Sequence, residues 1–294
     1  MNAQELTLFM GGKWYRRFGA APCPVCQPDR RKGQNALTLA DGNDGRLLLN
    51  CKKSACNFRD ITTAAGITPG SYTPSDAATL ARWEAEQRAD AAKREHQARA
   101  IWAETLPIAA TVAETYLRRR GITCPLPDTL RFHPDCWHGP TAKRHPAMVA
   151  LVEGVQGFAM HRTYLQPDGC GKAGLEGGDK LMLGGTSGGA VRLSEGYSRL
   201  VVAEGIESAL SLLCGPLDGP ATIWAALSTS GLRSLRLPDP PGRLTVAADG
   251  DKPGREAAHA LAERAHATGW TVGLLDPGDG ADWNDILTGK AVAV

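Results

Sequence analysis

The stretch LVVAEGIESALSLL, residues 200–213, decides the fold of the C-terminal third of the chain. Four apolar residues run to Glu204, Gly205 allows a tight turn, and a helical pattern begins directly afterwards. The same grammar recurs in RLTVAADGDKPGREAA (243–258), where Asp249 and Asp251 follow an apolar strand and Pro253 and Gly254 precede a helix. Further apolar strands are expected in ATIWAAL (221–227) and WTVGLLD (270–276), and GADWNDIL carries Asp282 and Asp285 just after the last. Strands alternating with helices predict a parallel sheet flanked by helices. Parallel strands present their carboxyl ends on one edge, so Glu204, Asp249, Asp251 and Asp282 are expected to converge there. Acids gathered in this way repel one another, and Mg²⁺ or Mn²⁺ with oxygen ligands is the natural remedy. Asp282 and Asp285 are the softest members of the set, and Asp285 is equally readable as a helix cap.

Upstream, residues 107–195 mix short strands, turns and basic groups, which predicts an α+β subdomain ending in the Gly-rich run LGGTSGGA (183–190). Residues 73–106 have no Gly and no Pro between Pro74 and Pro107, and read as a connecting helix from an N-cap at Ser75 to about Leu106. Its apolar stripe is thin and mostly alanine, so a solvated helix is expected. Residues 1–72 are punctuated by Gly and Pro, with ALTLA (36–40) and RLLLN (46–50) forming a β-hairpin around DGNDG.

That hairpin separates two cysteine pairs, Cys23 and Cys26 in Cys-Pro-Val-Cys and Cys51 and Cys56 with four residues between. Four soft ligands at neighbouring turns suit a structural zinc ion, which would supply folding energy that a small domain lacks. Arg30, Arg31, Lys32, Lys52, Lys53 and Arg59 lie around the cysteines with Trp14, Tyr15 and Phe58, a mixture suited to single-stranded nucleic acid. Cys124, Cys136, Cys170 and Cys214 have no paired spacing and are expected in the core, and His133, His138 and His145 are expected to be structural.

The net charge of +2 hides a gradient. Residues 1–72 carry 10 basic against 5 acidic groups, residues 107–195 carry 10 against 8, and residues 196–294 carry 8 against 12. A basic front suits phosphates and an acidic rear suits hard cations. With no apolar run long enough for a membrane span and no secretory leader pattern, a cytoplasmic enzyme without membrane contact is expected.

The motifs AEG with Glu204, DGD with Asp249 and Asp251, and DWND with Asp282 and Asp285 resemble the Toprim domain of bacterial primases, topoisomerases and some nucleases. YLRRRGI (116–122), with Arg118 and Arg119, resembles the opening of the catalytic core of DnaG-type primases. MHRTYLQPDG with Arg162 and GDKLMLGG with Lys180 resemble the basic stretch before Toprim. The cysteine pairs resemble the zinc-binding domain of phage and plasmid primases.

The resemblance implies four regions: a zinc-binding domain (1–72), a helical linker (73–106), a basic subdomain (107–195) and a Toprim domain (196–294). It implies a DNA primase of plasmid, phage or mobile-element replication, a nucleotidyltransferase making short RNA primers on single-stranded DNA from nucleoside triphosphates. Glu204 would be the general acid or base, Asp249 and Asp251 metal ligands, and Asp282 support for a second metal. Arg118, Arg119, Arg162 and Lys180 would contact nucleotides or template. A replicative helicase or another replication protein is an implied partner, although no GxxxxGK[ST] loop is present and few residues follow the third motif. The same acids would serve a Toprim nuclease, and a non-catalytic single-strand binder is the remaining alternative. A topoisomerase is disfavoured, because none of Tyr15, Tyr72, Tyr116, Tyr164 and Tyr197 lies in a recognisable gate domain.

Overall fold

A computed structural model describes the chain except residues 16, 43, 69, 197, 198, 218 and 291–294. Tyr197 and the expected C-terminal boundary at Val294 fall outside the described residues. Two compact units emerge, Met1–Asp90 and Ala91–Val294. Among the described residues no helix is long and apolar enough to cross a membrane.

The first unit starts with α1 (Ala3–Phe9), followed by β1 (Lys13–Tyr15), β2 (Phe18–Ala21), β3 (Leu37–Asp41), β4 (Leu47–Cys51) and α2 (Phe58–Ala64). The strands form an antiparallel sheet in the order β1-β2-β3-β4. The expected hairpin is β3–β4, displaced by one residue so that Cys51 ends its second strand. Helix α1 was not expected. Its signal is the capping box formed by Asn2 and Glu5, two short polar residues ahead of Leu6 and Leu8.

Buried Asp41 closes this unit, accepting from the Ala3 backbone N–H at 2.9 Å, the Tyr72 hydroxyl at 2.6 Å and the Ser75 N–H at 3.3 Å. Burial opposes its charge, but the hydrogen bonds from Ser75, Tyr72 and Ala3 hold its pKa below the ordinary value. Helix α3 (Ala77–Ala103) is shorter at both ends than the expected span. Its N-terminal turn is capped by Asp76, whose carboxylate accepts from the Thr79 N–H at 2.6 Å, because Ser75 is turned toward Asp41.

The second unit holds two five-stranded sheets. One is antiparallel and ordered β5-β6-β7-β8-β9, from β5 (Leu106–Pro107), β6 (Leu130–His138), β7 (Lys143–Val152), β8 (Ala159–Tyr164) and β9 (Lys180–Leu183). Helix α4 (Val112–Arg119) packs on it through Ala113, Tyr116 and Leu117. The other sheet alternates with helices: β10 (Val191–Ser194), β11 (Leu200–Ala203), α5 (Ile206–Cys214), β12 (Thr222–Ala225), α6 (Thr229–Ser234), β13 (Arg243–Ala247), α7 (Lys252–Ala267), β14 (Thr271–Leu275) and α8 (Trp283–Leu287).

The second sheet is ordered β10-β12-β11-β13-β14, with β11 to β14 mutually parallel and β10 antiparallel at the edge. The four expected strands and the helix expected after the second acidic motif are all present, but α7 begins at Lys252, so Pro253 and Gly254 lie in its first turn rather than ahead of it. Strand β10 joins this sheet even though its residues precede position 195. Every residue of β11 is buried, as a central strand covered on both faces requires. One core cluster runs from Leu117, Met148 and Val152 through Val201 and Ile206 to Trp283, so the two sheets share apolar packing.

Candidate active site and metal centre

The chain enters the parallel sheet at β11, crosses to β12 on one side and returns to β13 on the other. The connections therefore diverge between β11 and β13, and in such sheets the crevice at that divergence is where ligands bind. Ala203 pairs with Ala247, which puts Glu204 and Asp249 side by side just past the two strand ends. Gly250 follows because the backbones of its loop and of residues 278–281 touch: the Gly250 N–H donates to Ala281 O, and the Gly280 N–H donates to Gly250 O, both at 2.9 Å. A Cβ at Gly250 would collide with the Gly278 carbonyl.

The acids sense one another. Burial, then the charges of Asp249 and Asp251, push the Glu204 pKa up to about 7, against the pull of Lys180 and the Thr229 backbone N–H. Asp249 is also raised, first by burial and then by Asp282 and Asp251, while the Ser208 hydroxyl donates to it at 2.9 Å and moderates the rise. Asp251 is exposed and caps α7 by accepting from the Gly254 N–H at 2.7 Å. Asp282 caps α8, accepting from the N–H groups of Asn284 at 2.8 Å and Asp285 at 2.9 Å, and Asp285 accepts from the Asp282 N–H at 3.3 Å. Among the described residues, no three carboxylates bring their oxygens within 4.8 Å of one another, so the acidic edge is open rather than closed. Hard oxygen donors whose protons are held by mutual repulsion fit a divalent cation, which would relieve that repulsion.

Glu207 was missed by sequence reasoning and is a buried acid held by three other elements or loops. It lies in the first turn of α5 and is only 4% exposed. The Lys180 ammonium donates to its Oε2 at 3.0 Å, the Tyr116 hydroxyl donates to its Oε1 at 2.9 Å, and Lys172 lies 3.8 Å away. Burial would raise its pKa, yet Lys180 and Lys172 hold it well below the carboxylate range. Lys180 is raised in turn: burial works against its charge, but Glu207 and then Asp249 outweigh it. The available signal was position, since a residue three after Glu204 and flanked by Ile206, Ala209 and Leu210 faces the interior.

The basic residues separate. Lys180 belongs to the acidic edge. Arg118 is engaged with Glu114 at 2.9 Å and with the carbonyls of Ile122 and Cys124, both at 2.9 Å, where it fastens the end of α4. Arg119 is exposed and contacts the Cys170 thiol. Arg162 pairs across strands with Leu181 whereas Thr163 pairs with Lys180, so alternation sends Arg162 to the opposite face of its sheet from Lys180. Cys170 is exposed rather than in the core, because it lies in the turn after β8. His138 is held between Thr141 and the Gly178 carbonyl, a structural role, and His133 lies 3.2 Å from Glu104.

In the first unit, Cys23, Cys26, Cys51 and Cys56 bring their sulfurs within 4.8 Å of one another. Cys26 and Cys51 are 3.6 Å apart, against an edge of about 3.8 Å for a tetrahedron with metal–sulfur bonds of about 2.3 Å. Burial would raise the Cys51 thiol, but the backbone N–H groups of Ser54, Cys56 and Lys53 bring it to about 6. Gln27 braces the first knuckle, its side-chain oxygen accepting from Cys23 N at 3.2 Å and Ala36 N at 3.0 Å. The four thiols fit zinc. Tyr15 and Phe58 beside this unit's basic groups are exposed, whereas Trp14 packs on Trp83 with ring centroids 5.3 Å apart.

With this geometry in hand, a family model described as Toprim domain matches residues 199–292, and it covers the parallel sheet and its acidic edge. The C-terminal third of the chain is a Toprim domain. Residues 92–193, immediately before the Toprim domain, match a family described as a domain of unknown function, DUF7146. No curated protein matches the chain.

Solved structures are similar at low identity, among them the following three. A DNA primase domain from Pseudomonas aeruginosa is 19% identical with a TM-score of 0.33, covering 55% of this chain and 53% of its own. The zinc-binding and RNA polymerase domains of the Aquifex aeolicus primase are 10% identical with a TM-score of 0.42, covering 99% and 83%. The primase fragment of the bacteriophage T7 primase-helicase protein is 14% identical with a TM-score of 0.39, covering 92% and 94%. The chain thus spans about half the length of the Pseudomonas aeruginosa domain.

Proposed function

We propose that this chain is a DNA primase that makes short RNA primers on single-stranded DNA by metal-dependent nucleotidyl transfer, in plasmid, phage or mobile-element replication. The observation that carries the reading is the Toprim acidic edge, where Glu204 and Asp249 neighbour each other beside Lys180, in a chain that also gathers four thiols in a metal-binding arrangement. Glu204, Asp249 and Asp251 would hold Mg²⁺ or Mn²⁺, with Asp282 supporting a second ion. When bound, such ions neutralise charge on a triphosphate and lower the pKa of an attacking hydroxyl. Glu204 would accept the proton of the 3′-hydroxyl that attacks the α-phosphate of the next nucleoside triphosphate, forming the phosphodiester as the bond to the β-phosphate breaks and pyrophosphate leaves.

Lys180 would stand beside the phosphates, its charge maintained by Glu207. The zinc-binding region, with exposed Tyr15, Phe58 and basic groups, would hold part of the template. The natural setting would be the cytoplasm, with a helicase or another replication protein as recruiting partner. The test is incubation with single-stranded DNA, labelled nucleoside triphosphates and Mg²⁺ or Mn²⁺. Short de novo products support the reading; shortening of the strand without added nucleotides would instead assign the site to a nuclease.

A further inference from the structure

On the face of the antiparallel sheet opposite Lys180, beneath the C-terminal part of α3, lies a cavity of 570 Å³ lined by Gln97, Ile101, Trp137, Arg162, Leu181 and Leu183, among others. Its volume is in the range of small-molecule sites. Arg162 is 7% exposed, and its Nη1 donates to the Trp137 carbonyl at 3.2 Å. The guanidinium lies over the Tyr164 ring at 5.8 Å, but its Nε is enclosed without a hydrogen-bond partner, and among the described residues no carboxylate lies within ion-pair distance of it. A buried cation with unused donors and no counter-charge is costly, and a ligand supplying acceptors would remove that cost.

The remaining walls narrow the ligand class. Ile101, Leu181 and Leu183 would strip water from an inorganic anion without replacing it. A flat ring with apolar faces and an acceptor edge suffers no such loss. Trp137 is 46% exposed, so a broad aromatic surface is available to it. Guanine presents two acceptors, O6 and N7, to a guanidinium, whereas adenine places an amino donor there.

We propose that this cavity binds a guanine base, of a free nucleotide or of a single strand, with Arg162 reading its acceptor edge and Trp137 stacking on its face. The inference rests on the nucleic-acid reading above, and it assigns Arg162 to base recognition rather than to phosphate contact at the acidic edge.

The test uses the full zinc-loaded chain without Mg²⁺ or Mn²⁺. GMP and AMP are titrated by calorimetry, and labelled thymine-rich strands carrying one guanine or one adenine are titrated by anisotropy. Guanine ligands are expected to bind about tenfold more tightly than adenine ligands. Trp137→Ala, a change at an exposed side chain, is expected to weaken guanine binding at least about fivefold. Arg162→Lys is expected to abolish the guanine preference, with thermal melting as its control for folding. Preference for GMP identifies a free-nucleotide site, and preference seen with strands alone identifies a template site.

Equal binding of guanine and adenine in both formats, or wild-type affinity in Trp137→Ala, overturns the proposal even if Arg162→Lys does not fold. De novo primer synthesis by a chain without guanine preference would sink this cavity alone. Guanine preference in a chain that makes no primers would sink the primase reading alone.

Discussion

The two units solve the same stability problem by different means. In the second, strands such as β11 are buried along their whole length, and helices α5 and α7 cover them with Leu210, Leu212, Ala257 and Leu261. The first has short elements, and two of its core members, Cys23 and Cys51, belong to the four-thiol set itself. One unit is held by apolar area, and the other gathers four thiols that fit a metal ion. The difference teaches where to look for function, since a metal that completes a fold is inert structure, while carboxylates left repelling one another in an otherwise complete fold are available for chemistry.

The sharpest way to break this contrast is to remove the first metal. Stripping zinc, or making Cys51→Ser, is expected to unfold the first unit, with a loss on the order of 10 kcal/mol of metal-linked folding energy. Limited proteolysis should then cut within the first 72 residues and spare the second unit; an unchanged cleavage pattern would mean that the thiols are not a folding centre.

Within the second unit, Glu207→Gln removes the counter-charge of Lys180 and Lys172. Since the lysines are partly solvated, a loss of about 2–3 kcal/mol is expected, read as a lowered midpoint in urea. The sign with pH follows from the depressed pKa of Glu207: its contribution is present above the unfolded carboxylate value and is lost as pH falls through the folded value. Acid titration of the wild type should thus erode a stability difference that Glu207→Gln has already lost.

A smaller effect is expected at Asp41, whose carboxylate joins α1, β3 and the segment before α3. Asp41→Asn should cost about 1–2 kcal/mol in the first unit, because an amide can satisfy only part of the three donors that meet there. Its depressed pKa carries the same sign, stabilising above the ordinary carboxylate range and less so on acidification. Arg118→Ala is expected to be smaller still, about 1 kcal/mol, with primer synthesis nearly intact, since its guanidinium is occupied by Glu114 and two carbonyls.

Much of this was legible in the residues. Periodicity marked β11 to β13 and α7, because inner strands and their covering helices write their burial directly into apolar runs; β14 was marked by its apolar run too, although it is an edge strand with Leu274 and Leu275 exposed. The zinc set was legible because turns at one end of a hairpin must meet. Topological reasoning brought Glu204 and Asp249 together, since parallel strands share an edge.

What stayed hidden depends on contacts between distant segments. Glu207 is an ordinary helix glutamate until Tyr116, Lys172 and Lys180 arrive from other elements. Arg162 and Lys180 look alike as basic residues on strands, and strand alternation alone separates their faces once the register of β8 and β9 is known. Helix α1 is too short for periodicity to reveal it and is betrayed only by its capping box.

The central claim is that Glu204 performs chemistry while Glu207, three residues later, holds the architecture. The most direct measurement compares primer synthesis and thermal melting of Glu204→Gln with those of the wild type. Melting at or above the wild-type temperature with synthesis reduced at least about a thousandfold is the expected result, because the substitution relieves repulsion while removing a proton acceptor and metal ligand. Synthesis at the wild-type rate by Glu204→Gln would contradict it.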